Sequence, residues 1–266
     1  MVAEVEGPGA NVATLPDEVV EQRLAGLFQQ LGEVRPVACC AGSAGAEVPT
    51  ARARLERLLE SLLPGARICA VHDARLVLAA AGLDAGIALI AGTGSVAYGR
   101  TADGREARHG GWGWLVGDDG SAVWITREAA REVMRRADAA EPLGALGHAV
   151  LAACASSDAL ELRAKLHAMR EPMEWAAISR AVFLSAGADP GARSVIRRAG
   201  ESLAELARGV GACIGLDRPV VLAGGLLLHE PELESAVREQ LQAPCTRLEQ
   251  PPVQGAVRLA EEMLAR

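Results

Sequence analysis

Along the first hundred residues the hydrophobic positions switch between two periods. In "DEVVEQRLAGLFQQLG" (17–32) apolar side chains recur at helical spacing, and Thr14, Pro16 and Asp17 supply a helix start. "RPVACCAGSAG" (35–45) is a short apolar run ending in small residues, which predicts a buried strand entering a loop. A second amphipathic helix is predicted over 50–63, closed by Pro64-Gly65. The strand "ARICAVHDA" and the short helix "RLVLAAAG", closed by Gly82, follow. "GIALIAGTGS" is another apolar strand running into a glycine turn. "VAYGRTADGREARHGG" reads as a hairpin with Asp103-Gly104 at its turn.

From Ser121 to about residue 215 the pattern is mainly helical, with Ser121 placed to cap "AVWITREAAREVMRRADA". A long helix is predicted through "SVIRRAGESLAELARGVGACIG". The chain then returns to a buried strand, "RPVVLAGG", the helix "PELESAVREQL", a strand-like "CTRLEQ" and a last helix from Val253. Apolar strands alternating with helices predict α/β layers around partly parallel sheets. A domain boundary is expected near residue 85, giving an N-terminal domain over 1–84 and a C-terminal domain over 85–252. The helix 253–266 is expected to complete the first.

Composition narrows the class. The chain has 266 residues, half of them hydrophobic and 23% charged, enough for one or two globular cores. A net charge of −7 argues against nucleic acid or an anionic membrane as partner. No apolar run approaches bilayer length, and "MVAEVEGPGA" has no apolar core segment of a signal peptide, so a cytoplasmic location is expected. Cys39, Cys40, Cys69, Cys154, Cys213 and Cys245 form no C-x-x-C pair. They are expected to be small buried hydrophobes rather than metal ligands or disulfides.

Candidate chemistry gathers where strands end in glycine. "LIAGTGSVAYG" and "VVLAGGLLL" bring bare backbone N–H groups to strand ends, where they form either tight turns or phosphate-binding nests. Thr93 and Ser95 could add hydroxyl donors. A Walker loop is excluded, because it needs Gly-Lys-Ser/Thr and the one lysine, Lys165, lies in a helical stretch. Asp73 ends a strand, either as a helix cap or as a carboxylate taking a proton from a substrate hydroxyl. In "RHGGWGWLVGDDGS" (108–121) scarce tryptophans and two aspartates sit among five glycines. Trp112 with Asp118 could hold a neutral polyol. Core packing for the tryptophans and helix capping for Asp118 and Asp119 are the alternatives.

Taken in order, "GTGSVAYG", "GGWGWLVGDDGSAVWI" and "VVLAGGLLLHEPEL" resemble the N-acetylglucosamine kinase and BadF/BadG/BcrA/BcrD ATPase family, in the superfamily of sugar kinases, actin and heat-shock ATPases. The resemblance covers nearly the whole chain. It implies a two-domain ribonuclease-H-like (actin-like ATPase) α/β fold, with ATP–Mg²⁺ and an amino sugar as ligands and phosphoryl transfer to the sugar's 6-hydroxyl. It implies Asp73 as general base, and Gly92, Thr93, Gly94 and Ser95 as a phosphate loop. It further implies Gly224 and Gly225 on the nucleoside side, and Asn11, Gly111, Trp112 and Asp118 as sugar contacts. Homodimers are frequent in that family.

The resemblance also carries a departure. The family opens with a strand, a glycine-rich Asp-Gly-Gly-Gly-Thr turn that contacts ATP phosphates, and a second strand, all before the equivalent of "GPGAN". "MVAEVEGPGAN" holds no such turn, so the expectation is a truncated N-terminal domain whose sheet lacks a central strand. Either the natural start lies upstream, or the chain is a sugar-binding or regulatory protein without catalysis.

Overall fold

The computed structural model describes residues 3–12, 15–32, 34–215, 219–241 and 243–265. In chain order the elements are α1 (Asp17–Gln30), β1 (Ala38–Ser43), α2 (Pro49–Leu62), β2 (Arg67–His72), α3 (Asp73–Ala80), β3 (Gly86–Ala91), β4 (Ser95–Arg100), β5 (Glu106–Gly110) and α4 (Ala122–Asp138). Then come α5 (Gly144–Ala153), α6 (Ala159–Ala168), α7 (Pro172–Ser185), α8 (Pro190–Ile214), β6 (Val220–Ala223), α9 (Gly225–His229), α10 (Pro231–Leu241), β7 (Cys245–Arg247) and α11 (Pro252–Ala265). They form two compact units, Met1–Asp84 with Leu248–Arg266, and Ala85–Arg247.

In the first unit β1 and β2 pair in parallel, with Cys40 opposite Cys69 and Ser43 opposite His72. Side chains alternate across a strand, so the pair has two working faces. Cys39, Ala41, Ile68 and Ala70 pack with Val12, Val20, Leu55 and Leu59, beneath α1 and α2. Cys40, Cys69 and Val71 pack with Leu76, Ala79, Ala256 and Leu259, from α3 and α11. Thr14, expected at the start of α1, lies outside the described residues. Pro16 takes the cap position, and Asp17 and Glu18 place negative charge in the first turn, where the helix dipole favours it.

The second unit is built on a five-stranded sheet in the order β5-β4-β3-β6-β7. β3–β4 and β4–β5 are antiparallel hairpin neighbours, whereas β3–β6 and β6–β7 are parallel. The predicted turn at Asp103-Gly104 is the β4–β5 connection. α8 covers the sheet with Ala199, Leu203, Ala207, Val210 and Ile214, all buried in the main core. α4 enters the same core through Ile125, Ala129 and Val133, and Ser121 caps it by accepting from the Trp124 N–H at 3.2 Å.

One buried ion pair ties three helices. Asp189 caps α8 through the Gly191 N–H (2.8 Å), accepts from the Leu146 N–H in α5 (3.0 Å), and takes both Arg136 terminal nitrogens at 2.8 and 2.9 Å. The Arg136 hydrogen bond outweighs burial and holds its carboxyl well below the usual range.

The cysteine expectation needs correction. Cys154 is fully buried, but Cys213 is exposed and Cys39, Cys40, Cys69 and Cys245 are half-buried. Cys39, Cys40 and Cys69 lie on a sheet of only two strands, Cys245 is on the edge strand β7, and Cys213 lies towards the solvent side of α8 with its sulfur 3.5 Å from His109 Nε2.

Candidate functional site

β3 and β6 run in parallel, so both end at the same edge of the sheet, where open α/β sheets bind ligands. β3 ends in Gly92-Thr93-Gly94 and β6 in Gly224-Gly225. The two turns touch: a Cβ on Gly224 would lie 2.3 Å from the Ala91 carbonyl oxygen, and one on Gly92 would lie 4.0 Å from the Gly225 nitrogen. Gly224 also has φ 90° and ψ 144°, a conformation that side chains rarely adopt. Glycine is required there on both counts.

The β3–β4 turn is anchored from behind. The first amides of α4, Ala122 and Val123, donate to the Gly92 and Thr93 carbonyls at 3.0 and 3.5 Å, and the Gly92 N–H folds back onto the Gly94 carbonyl (2.9 Å). Thr93 Oγ1 donates to Met173 Sδ at 3.0 Å, a weak acceptor that a phosphate oxygen would readily replace. Ser95 differs. It is buried, its hydroxyl donates to the Asp119 carbonyl at 2.8 Å, and its carbonyl accepts from the Gly111 N–H at 2.9 Å.

Asp118 is the pin between that turn and "GGWG". It is buried with φ 58°, a left-handed conformation that aspartate tolerates better than most residues. Its carboxylate accepts from the backbone N–H groups of Gly113 and Ser95. It also sits against Gly94, where a Cβ would come within 2.5 Å of Oδ2. Burial pushes its carboxyl above the usual range, and those two N–H bonds only partly oppose it.

The tryptophans divide by environment. Trp124 packs on the core with the Arg198 guanidinium 5.7 Å from its ring, and Trp114 lies 6.3 Å from the ring of Trp175. Trp112 is 70% exposed, with the Arg108 guanidinium 4.8 Å from its ring centroid. Gly110, Gly111 and Gly113 around it carry φ of 75°, 67° and 90°. Only glycine adopts such a run cheaply, so the loop trades chain stiffness for a presented indole. Arg108 was not singled out by sequence; an arginine two residues before "GG" carries no signal until the loop is folded.

In the first unit Asp73 opens α3 directly after β2. Its Oδ1 accepts from the Ala74 N–H at 2.8 Å and lies 3.0 Å from His72 Nδ1. Partial burial raises its carboxyl, but His72 and the Ala74 N–H outweigh that and hold it below the usual range. Its side chain is 49% exposed, so an ionised carboxylate is presented at the strand end. His72 itself takes the N-cap position, its Nδ1 3.1 Å from the Ala74 nitrogen. Asn11 lies in the same unit and is half-buried, its carbonyl accepting from the Leu15 N–H at 3.1 Å.

Among the described residues no group of three or more His, Cys, Asp or Glu side chains is gathered to hold a metal ion, and no helix is long and apolar enough to cross a membrane.

Comparison with known proteins meets this geometry. An N-acetylmuramic acid/N-acetylglucosamine kinase of Clostridium acetobutylicum is 38% identical over 130 residues, 48% of this chain and 42% of that protein. The match thus spans less than half of that relative's length. The solved structure of a provisionally named N-acetylglucosamine kinase from Chromobacterium violaceum is 27% identical, with a TM-score of 0.75 over 96% of this chain and 88% of that one. A provisionally named N-acetylglucosamine kinase from Porphyromonas gingivalis, 20% identical, superposes with a TM-score of 0.74 over 97% and 90% of the two chains. The fold shared with these structures is α/β with a mixed sheet. The model of the BadF/BadG/BcrA/BcrD ATPase family matches residues 40–259, most of the sequence, and the chain belongs to that family.

Proposed function

We propose that the chain is an ATP-dependent kinase that phosphorylates the 6-hydroxyl of an amino sugar, N-acetylglucosamine or glucosamine. The observation that carries the reading is the contact between the two glycine turns at the shared carboxyl edge of β3 and β6. Gly92, Thr93, Gly94 and Ser95 form the phosphate side, with Mg²⁺ arriving as part of the nucleotide substrate. Gly224 and Gly225 leave room for the nucleoside. Thr93 supplies a hydroxyl, whereas Ser95 and Asp118 act through the backbone they hold in place. Trp112 and Gly111 offer a sugar an exposed indole face and bare backbone, with Asn11 as a further contact.

Asp73 accepts the 6-hydroxyl proton. A carboxylate held below its usual pKa is a weak base, but phosphoryl transfer with a loose transition state asks mainly for positioning and charge stabilisation. Relatives named as N-acetylglucosamine kinases support the substrate class. A second reading, sugar binding without transfer, draws on Ser95, whose hydroxyl is already spent on Asp119.

A coupled ADP-release assay with ATP–Mg²⁺ and N-acetylglucosamine, run beside calorimetric titration of each ligand, tests the proposal. Sugar-dependent ADP release supports it. Sugar binding with neither nucleotide binding nor turnover replaces it with the second reading, and the absence of sugar binding overturns both.

A further inference from the structure

The first unit carries a feature that sugar phosphorylation does not use. β1 and β2 pair in parallel with Cys40 directly opposite Cys69, so both side chains leave the same face of the sheet. Neighbouring strands lie about 4.8 Å apart, inside the ~4.4–6.8 Å Cα separation that disulfides span. Both thiols pack beside Ala256 and Leu259 of α11, and both cysteines are half-buried, within reach of a small reagent. Cys39 leaves the opposite face, among Leu55, Leu59 and Ala70, and cannot compete for Cys69 without turning its strand over.

We propose that Cys40 and Cys69 are a redox-modifiable dithiol, with Cys69 the attacking thiol and Cys40 the resolving one, oxidised by small disulfides of the glutathione type. The Cys69 thiolate attacks one sulfur of the oxidant, whose S–S bond breaks and releases one glutathione thiolate. Cys40 then gives up its proton and attacks the Cys69 sulfur of the mixed disulfide. The Cys40–Cys69 bond forms and the second glutathione leaves. The two cysteines lose two electrons, one oxidised glutathione becomes two reduced molecules, and the two cysteine protons end on them.

The charges and hydrogen bonding around the pair favour this order of attack. The hydrogen bond from Cys40, with the charges of Arg75 and Arg52, brings the Cys69 thiol down to about 7, against burial and Glu56. The same hydrogen bond and burial push Cys40 up. Cys69 is thus the readier of the two to become the attacking thiolate.

The test is exposure of the full chain to oxidised glutathione at pH 7, followed by thiol counting in denaturant and mass spectrometry of a non-reduced tryptic digest. At least two of the six free thiols should be lost. Peptides 24–52 and 68–75 should appear joined, two hydrogens lighter than their sum, and dithiothreitol should separate them. In Cys40→Ser the reaction should stop at a glutathione adduct on Cys69, and in Cys39→Ser the joined pair should persist. An adduct without cross-link in the parent chain, a cross-link that survives Cys40→Ser, or unmodified Cys69 overturns the proposal. The parent chain and Cys39→Ser decide it even if Cys40→Ser does not fold.

Discussion

Replacing Gly224 by alanine probes the site at its tightest point. The new Cβ would lie 2.3, 2.7 and 2.9 Å from the oxygen, carbon and nitrogen of Ala91, all backbone atoms of β3 that cannot rotate away. At φ 90° and ψ 144° the residue also acquires backbone strain of about 1–3 kcal/mol. Relieving the overlap means separating the ends of β3 and β6, at the cost of a ladder hydrogen bond or two, roughly 1 kcal/mol each. The expected loss is about 3–4 kcal/mol, a large part of the ~5–15 kcal/mol that holds a typical domain. With a urea slope of about 2 kcal/mol/M, the midpoint should fall by about 1.5–2 M. Tryptophan fluorescence is the natural readout, because Trp112, Trp114, Trp124 and Trp175 all lie in the Ala85–Arg247 unit. Gly187→Ala, where a Cβ meets nothing within 4 Å, serves as the control. A Gly224→Ala stability within about 0.5 kcal/mol of that control would refute the close crossing of the two turns, and with it the geometry behind the proposed nucleotide site.

Other predictions follow from single contacts. Asp73→Asn should fold and bind sugar but lose about 10²–10⁴ in turnover, measured by ADP release; unchanged turnover removes Asp73 as base. Trp112→Ala should leave the stability read by urea titration within about 0.5 kcal/mol, because the indole is exposed, while weakening sugar affinity in calorimetry. Ser121→Ala should cost about 1 kcal/mol of stability through the lost α4 cap, read by urea titration. Asp189→Asn leaves Arg136 with Glu132 as its carboxylate partner and should cost about 2 kcal/mol at pH 7 through the lost charged hydrogen bonds. Because the folded Asp189 carboxyl is depressed, its contribution is present above its unfolded value of about 3.9 and is lost as pH falls through the folded value. The gap between parent and variant should therefore narrow below about pH 4; a gap independent of pH would show that the pair is not ionic.

Local features of the fold were legible in sequence wherever a run of apolar residues met glycine, proline or a capping side chain. Ser121, Gly82 and Asp103-Gly104 each punctuate as their chemistry requires. What joins β3 to β6 was not legible, because strand order depends on packing between segments about 130 residues apart and no local pattern encodes it. The site divided in the same way. Gly92, Gly94, Gly224 and Gly225 announced themselves, but nothing in "GTGS" says that Ser95 spends its hydroxyl on Asp119. Nor does "GDDGS" say that the Asp118 carboxylate is already held by two backbone N–H groups. Trp112, Trp114 and Trp124 look alike on paper; only the left-handed glycines around Trp112 push one of them into solvent. His72 escaped as a cap because imidazole seldom fills that position.

The crossing of α11 over α3 has a consequence for the order in which the chain is built. A Cβ on Gly255 would lie 2.1 Å from the Leu76 carbonyl oxygen, so the two helices meet at backbone contact, with Leu259 against Val71, Leu76 and Ala79. During synthesis those three residues leave the ribosome long before Leu259. At about 5–20 residues per second, the roughly 180 intervening residues take on the order of 9–36 s to appear. Through that interval Val71, Leu76 and Ala79 lack the helix that covers them in the finished fold.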